Sequence, residues 1–380
     1  MIAGYRDFLI VGGVAAFCTF VLTFVIRRLA VRHSVIVLPD ERRVHERPTP
    51  TIGGAAMFAG LLVAMCVASQ LKSFEVVFHG NSEPLGLVLG GAVIFAVGAF
   101  DDLRDMSPPA KMSGQVLAGT VLYFFGITML YFRLPVVGTT LVLSPDIAPL
   151  VTVLWVVGMA NAINFIDGLD GLAAGVVAIA ASAFFLYSHQ LVLHGITQPQ
   201  SSGPLIAVIT LGVCVGFLPH NFHPARIFMG DAGAMLLGLL MAASTISTVG
   251  QTNTASIGRS YFFFAPIVIP FFILGIPILD TAFAVLRRAG RRTNPAMGDK
   301  NHLHHRLMRL GHGQTRSVLI LWAWTALLSG VVLYPALVNH NVSFVPVAVV
   351  GLGVALYTLF TLRGRAGANA RPPGDLSRGT

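Results

Sequence analysis

Long apolar runs recur from one end of this chain to the other, and they constrain its fold more than any other feature. Eleven are readable, at roughly 8–32, 52–71, 85–100, 112–132, 148–166, 171–194, 203–219, 232–249, 262–286, 317–338 and 343–362. Most reach the ~17–25 residues that carry a helix across ~30 Å of hydrocarbon; the 85–100 and 203–219 runs are the short ones. Inside a bilayer every peptide group must find its partner within the chain, so a spanning segment is a helix or part of a closed barrel. These runs are rich in Gly, Ala and Leu and lack the polar–apolar alternation of barrel strands, which favours helices. Composition agrees: 55% of residues are hydrophobic and 11% are charged, where a soluble domain carries about 25% charged residues. The expected fold is all-α, a polytopic integral membrane protein of about eleven transmembrane helices. Residues 1–362 are expected to form one bundle, with polar loops on the cytoplasmic side carrying whatever site there is, and the polar, Pro- and Gly-rich stretch 363–380 reads as a disordered cytoplasmic tail.

Charge sets the orientation. Of the 25 Lys and Arg, 21 fall in or beside the segments on one side of the eleven-span arrangement, and only Arg6, Lys72, Arg133 and Arg259 fall on the other. The positive-inside rule makes the crowded side cytoplasmic, with the N-terminus outside and the C-terminus inside. The net charge of +9 is accounted for by that asymmetry and by anionic lipid headgroups, so no nucleic-acid partner is expected. Arg27, Arg28 and Arg32 follow the first apolar run instead of preceding it, so a cleaved signal peptide is not expected. Cys18, Cys66 and Cys214 all fall inside apolar runs without metal-ligand spacing and read as small buried side chains.

The loops on the outer side are chemically plain, whereas five on the cytoplasmic side are dense with Asp, Asn, His, Lys and Arg. A site at the membrane–water boundary suits one water-soluble and one lipid-embedded reactant. A transporter is the competing class, but it would place ionisable groups near the midplane on broken helices, and only Asp280 in "GIPILDTAF" sits deeper in a run.

The most unusual stretch is "NAINFIDGLDGLAAG" at 161–175, which keeps Asp167 and Asp170 beside apolar flanks with no cation in reach along the chain. Asn161 and Asn164 share a helical face, and Asp167 opens a Gly-rich break. Asn and Asp oxygens are hard ligands of the kind Mg²⁺ takes, completed by water and substrate phosphates; the plain alternative is a helix end with an Asp-Gly turn. Adjacent Asp101 and Asp102 suit a divalent cation or a bound phosphate with its metal, or else a solvated helix end. Lys111 begins the next run and fits a phosphate contact or a membrane anchor, and Gln115 lies one turn on. Asn221 precedes Asp231 by ten residues; Asp231 fits a ligand or a helix N-cap, and Phe228 fits interface packing or a stacking surface for a base. "HLHH", with His302, His304, His305 and the nearby Arg306, fits phosphate binding better than zinc, since neither Cys nor HExxH accompanies it. No P-loop, GxGxxG or GxSxG is present, so a metal would arrive with a diphosphate substrate. A lipid-pyrophosphate hydrolase would use the same logic.

Five segments in order, "RRVHERPTPTIGG", "FDDLRD…K…Q", "NAINFIDGLDGLAAG", "NFHPARIFMGDAGA" and "DKNHLHHRLMRLG", resemble the polyprenyl-phosphate N-acetylhexosamine-1-phosphate transferases across about residues 35–315. Leu303 between the first two histidines resembles the WecA/TagO branch; the related MraY enzymes have three consecutive histidines. The resemblance implies ten or eleven helices and a cytoplasmic Mg²⁺ site, with Mn²⁺ as a substitute. It also implies transfer of a sugar phosphate, here expected to be N-acetylglucosamine-1-phosphate, from a UDP-N-acetylhexosamine to undecaprenyl phosphate. UMP is released, and a lipid-linked envelope glycan such as O antigen is begun. By motif, Asn164 and Asp231 resemble metal ligands, Asp101 and Asp102 the pair that handles the lipid phosphate, and Lys111 the diphosphate lysine. Asp170 and Phe228 match uracil-holding positions, and His304 and His305 the phosphate cluster. His45 lies in the first matched segment, and Asn161, Asp167 and Asn221 join the substrate-binding set. A homodimer within the lipid bilayer is compatible with all of this.

Overall fold

The structure is a computed structural model that describes residues 4–33, 48–133, 140–251 and 313–337, together with 351 and 353. Within these residues the regular elements are helices, apart from one small two-stranded sheet. Helix α1 spans Tyr5–Arg32, α2 Gly53–Gln70, the short α3 Glu75–His79, α4 Glu83–Arg104 and α5 Pro108–Phe124. Strands β1, Tyr131–Arg133, and β2, Thr140–Val142, then pair antiparallel with Phe132 opposite Leu141. Helices α6, Ala148–Ile166, α7, Leu172–Leu193, α8, Gly203–Asn221, α9, Gly230–Thr245, and α10, Gln314–Leu337, complete the described elements. Among the described residues, seven helices are long and apolar enough to cross a membrane: α1, α2, α4, α6, α7, α8 and α9 with its extension to Thr248. The expected spans at 262–286 and, but for residues 351 and 353, 343–362 lie outside the described residues, so the membrane-spanning bundle stands without the count of eleven.

Several boundaries differ from the sequence reading, and two of them matter here. The run expected at 112–132 stays helical only to Phe124, because Gly126 takes a left-handed conformation (φ +96°) that ends the helix and turns the chain into β1. The run expected to stop at 100 continues to Arg104, so Asp101 and Asp102 lie on the last turn of α4 rather than in a loop.

Helix α1 buries one stripe, Phe8, Val11, Ala15, Thr19, Thr23 and Ala30, spaced by three, four or seven. Its other faces leave Leu9, Phe17, Phe20 and Phe24 exposed, as a lipid-facing helix does. It lies close against α8, where a Cβ on Gly212 would stand 2.3 Å from the Gly12 carbonyl oxygen. Small residues let helix backbones approach in lipid, where association rests on packing.

Helix α9 is the axis of the bundle. Every residue from Ala232 to Thr245 is buried, and α2, α4, α6 and α8 pack around it. A helix apolar on all sides belongs in the interior, and its N-terminal turn therefore opens in the middle of one end of the bundle. At the opposite end Glu83, 4% exposed, accepts hydrogen bonds from Ser202 and from Gln251 Nε2 (2.7 Å) and ties α4, α8 and the end of α9 together.

Candidate active site

The last turn of α4, the first of α5, the last of α6 and the first of α9 meet at one end of the bundle. Lys111 stands between the other three. Its Nζ lies 3.0 Å from Asp101 Oδ2 and donates to Asp231 Oδ2. With the Asn164 amide turned so that its nitrogen donates to Asp231 Oδ1 (3.0 Å), its oxygen accepts from Lys111 Nζ (3.2 Å). The cation missing from the neighbourhood of 161–175 in sequence is thus supplied in space by α5. The Lys111 and Asp101 side chains are 17% and 15% exposed, and Asp231 is 30% exposed, so the group is sheltered but reachable from water.

Asp102 does something different from its neighbour. Its Oδ1 accepts the backbone N–H of Asp231 (2.8 Å) and its Oδ2 that of Ala232 (3.1 Å). It caps α9 from another helix, satisfying two of the N–H groups that every helix start leaves open. Asp231 itself is inside the first turn, with Met229 at the cap position. Gly230 makes the approach possible: it has φ +68°, and a Cβ there would lie 2.4 Å from Asp102 Oδ2 and 2.3 Å from the Thr51 carbonyl oxygen. The segment before α2 runs alongside: Phe228 N–H donates to the Pro50 carbonyl (2.8 Å), Gly53 N–H to that of Phe228 (3.0 Å) and Gly54 N–H to that of Met229 (2.9 Å). Two of the sequence segments far apart in the chain are joined through this ladder, with half-buried Phe228 in it.

Asp167 lies at the C-terminal cap of α6. Burial, reinforced by repulsion from Asp231, Asp102 and Asp170, pushes its carboxyl up to about 8, so at neutral pH it tends to hold a proton. Asp170 is paired: His223 Nδ1 lies 2.7 Å from its Oδ2, which also accepts the Ala225 N–H (3.0 Å). Asn221, 1% exposed, spends both ends of its amide on the backbone, accepting from Gly171 N–H (3.0 Å) and donating to the Ile227 carbonyl (3.0 Å). Asn161 faces Gln115 one turn below Asn164, its Nδ2 donating to Gln115 Oε1 (2.7 Å). His45, His302, His304, His305 and Arg306 lie outside the described residues.

Asp101, Lys111, Asn164 and Asp231 are brought together, Asp167 lies close enough to feel Asp231, and Asn221 and Asp170 stitch the turn after α6 to the loop after α8. Gln115, unassigned as a site residue from sequence, emerges as a partner of Asn161; its position four residues after Lys111 was the available signal. The oxygens of Asp231, Asp101 and Asn164 around one ammonium group form a hard-donor set suited to a small divalent cation. Among the described residues no three His, Cys, Asp or Glu side chains could hold an ion by themselves, so such an ion would need the Asn164 amide, water and substrate phosphates to complete its shell.

The sequence profile of glycosyl transferase family 4 matches residues 84–249. A decaprenyl-phosphate N-acetylglucosaminephosphotransferase of Mycobacterium tuberculosis is 38% identical over 328 residues, covering 85% of this chain and 81% of the relative. A probable undecaprenyl-phosphate N-acetylglucosaminyl 1-phosphate transferase of Bacillus subtilis is 34% identical over 80% of this chain and 77% of its own length. A phospho-N-acetylmuramoyl-pentapeptide-transferase of Mycolicibacterium smegmatis is 29% identical over 85% of this chain and 94% of its own. The chain belongs to the polyprenyl-phosphate N-acetylhexosamine-1-phosphate transferase family.

Proposed function

We propose that this protein transfers N-acetylglucosamine-1-phosphate from UDP-N-acetylglucosamine to a polyprenyl phosphate, releasing UMP, at the cytoplasmic face of a bacterial inner membrane. The observation that carries the reading is the meeting of Asp101, Lys111, Asn164 and Asp231, all partly exposed, at one end of an apolar bundle. Relatives named for decaprenyl and for undecaprenyl phosphate support a polyprenyl acceptor, and undecaprenyl phosphate is the acceptor we favour. The product would begin a lipid-linked envelope glycan.

In the reaction, an oxygen of the lipid phosphate attacks the β-phosphorus of the UDP-sugar. The new P–O bond joins lipid phosphate to sugar phosphate, and the bond to the bridging oxygen breaks, leaving UMP with its electron pair. A phosphate monoester has its second pKa near ~6, so the acceptor is largely dianionic at neutral pH and needs little help from a base. The barrier is mainly the repulsion between two anions. Bound Mg²⁺, for which Asp231 and Asn164 are the proposed ligands and Mn²⁺ a substitute, would neutralise part of the diphosphate charge. Lys111 can leave its carboxylates for a diphosphate oxygen, and Asp101, on the α4 turn beside it, is placed to hold Lys111 in line. His304, His305 and Arg306 are proposed contacts of the diphosphate, and Phe228 and Asp170 of the uracil.

Purified protein given UDP-N-acetylglucosamine, undecaprenyl phosphate and Mg²⁺ should form UMP and lipid-linked sugar diphosphate in equal amounts. EDTA should stop this reversibly, and Asp231→Asn should abolish it in folded protein. Release of inorganic phosphate without sugar transfer would overturn the proposal in favour of a hydrolase.

A further inference from the structure

One helical turn deeper than Lys111, Asn164 and Asp231 lies a second set of three, one from each of the same helices. Gln115 follows Lys111 by four residues on α5, Asn161 precedes Asn164 by three on α6, and Met235 follows Asp231 by four on α9. Such intervals return each helix to the same face, about 4.5–6 Å farther along its axis. The second set is in contact. Asn161 Nδ2 donates to Gln115 Oε1 (2.7 Å), and Gln115 Nε2 lies 3.1 Å from Met235 Sδ and 3.4 Å from Asn161 Oδ1. Asn161 is also anchored to its own helix through the Val157 carbonyl (2.8 Å).

We propose that Gln115 is a positioning residue, whose buried amide fixes the axial register of α5 against α6 and α9 and so places Lys111 between Asn164 and Asp231. Gln115 is 1% exposed, so it reaches neither substrate nor water and acts through its neighbours. Apolar surfaces packed in lipid lack a hydrophobic force holding them in one register. A buried amide supplies what they lack, because leaving it without its partner costs about 1–3 kcal/mol. Sliding α5 by one residue, about 1.5 Å, would pull Gln115 from Asn161 and carry Lys111 away from its carboxylates together. The two layers are therefore mechanically linked: the lower sets the distance at which the upper works. The kinetic side of this inference rests on the transferase reading; the register side does not.

The test uses Gln115→Met in the full-length chain, a swap that keeps an unbranched side chain of similar size and removes the hydrogen bonds to Asn161. In protein of unchanged dispersity, kcat should fall by about 10–100-fold, as expected for removal of an outer-shell partner, while KM for UDP-N-acetylglucosamine changes much less. Asn161→Leu should have a similar effect, and the double variant should be no worse than either single one. Register is read separately by cross-linking a Lys111→Cys, Asn164→Cys pair with a short bifunctional thiol reagent, in a chain whose native cysteines are replaced. Bridging should slow severalfold when Gln115→Met is added. Unchanged bridging, or a kcat that falls only with the folded fraction, would overturn the proposal. Slowed bridging in a chain whose unmodified form transfers no sugar phosphate would uphold the positioning role and reject the transferase reading.

Discussion

Replacing Asp102 by Ala separates a chemical role from a structural one. Its carboxylate accepts the N–H groups of Asp231 and Ala232 at 2.8 and 3.1 Å, from a helix start that has no side-chain cap of its own. Truncating an N-cap typically costs about 0.5–2 kcal/mol. Asp102 is a half-buried residue, and a loss of about 2 kcal/mol is expected. Asp101→Ala removes a part-exposed ion pair with Lys111 and a single hydrogen bond from the Met106 N–H, one backbone partner where Asp102 has two, and should cost less, about 1 kcal/mol. Asp102→Asn keeps one acceptor oxygen and should fall between. The assay is the thermal midpoint of detergent-purified protein followed by size-exclusion chromatography, alongside turnover per folded molecule. Asp102→Ala should melt several degrees below the unmodified protein and below Asp101→Ala, and its kcat should drop because Asp231 rides on the uncapped turn. An unchanged midpoint combined with complete loss of turnover would refute the capping argument and return Asp102 to the chemistry.

Asp167 makes stability pH-dependent. Its folded pKa is raised from 3.8 to about 8, so the folded protein binds a proton that the unfolded chain has released, and stability should decline as pH rises across that window; in EDTA, Asp167→Asn should flatten the decline of the thermal midpoint between pH 5 and 8, roughly the span between those two values, and an equal slope in both proteins would count against the shift. Orientation is checked with single cysteines at exposed Gln198 and Ser107, in a chain lacking Cys18, Cys66 and Cys214: Gln198→Cys should react with an impermeant thiol reagent in intact cells and Ser107→Cys only after permeabilisation, the reverse pattern inverting the topology. Direct attack requires both substrates at once, so enzyme with UDP-N-acetylglucosamine and Mg²⁺ but no lipid should exchange no labelled UMP into the donor; exchange that vanishes in Asp101→Asn would establish a phospho-enzyme instead.

The helices were legible because spanning a membrane leaves a long, one-dimensional signal. The run read at 148–166 coincides with α6, and those at 52–71 and 171–194 end within a residue of α2 and α7. Where hydropathy continued but backbone geometry did not, as at Gly126, the reading overshot. The side chains that meet in the candidate site could be picked out as candidates, since Asp101, Lys111, Asn164 and Asp231 stand at the ends of apolar runs. Their partnerships could not. Lys111 and Asp231 lie 120 positions apart, and nothing local marks Asp102 as the cap of a helix that begins 129 residues later at its first bonded N–H. Asn221 and Asp170 were read as substrate-binding positions, but Asn and Asp serve backbone turns and substrates with the same atoms. Only the fold shows which N–H groups they meet.

Lys111 also gives the resting site its own counter-ion. Its ammonium group rests among the oxygens of Asp101, Asp231 and Asn164, the positions that the proposed divalent ion would want. Two unit charges ~4 Å apart interact by about 4 kcal/mol at an effective dielectric near 20, and a doubly charged ion doubles the repulsion. Lys111 would therefore resist an ion that came alone, but could swing onto the anion when the ion came with a diphosphate. Lys111 thus offsets part of the charge of the two carboxylates around it, and the proposed ion would take over that role only when it came with a diphosphate.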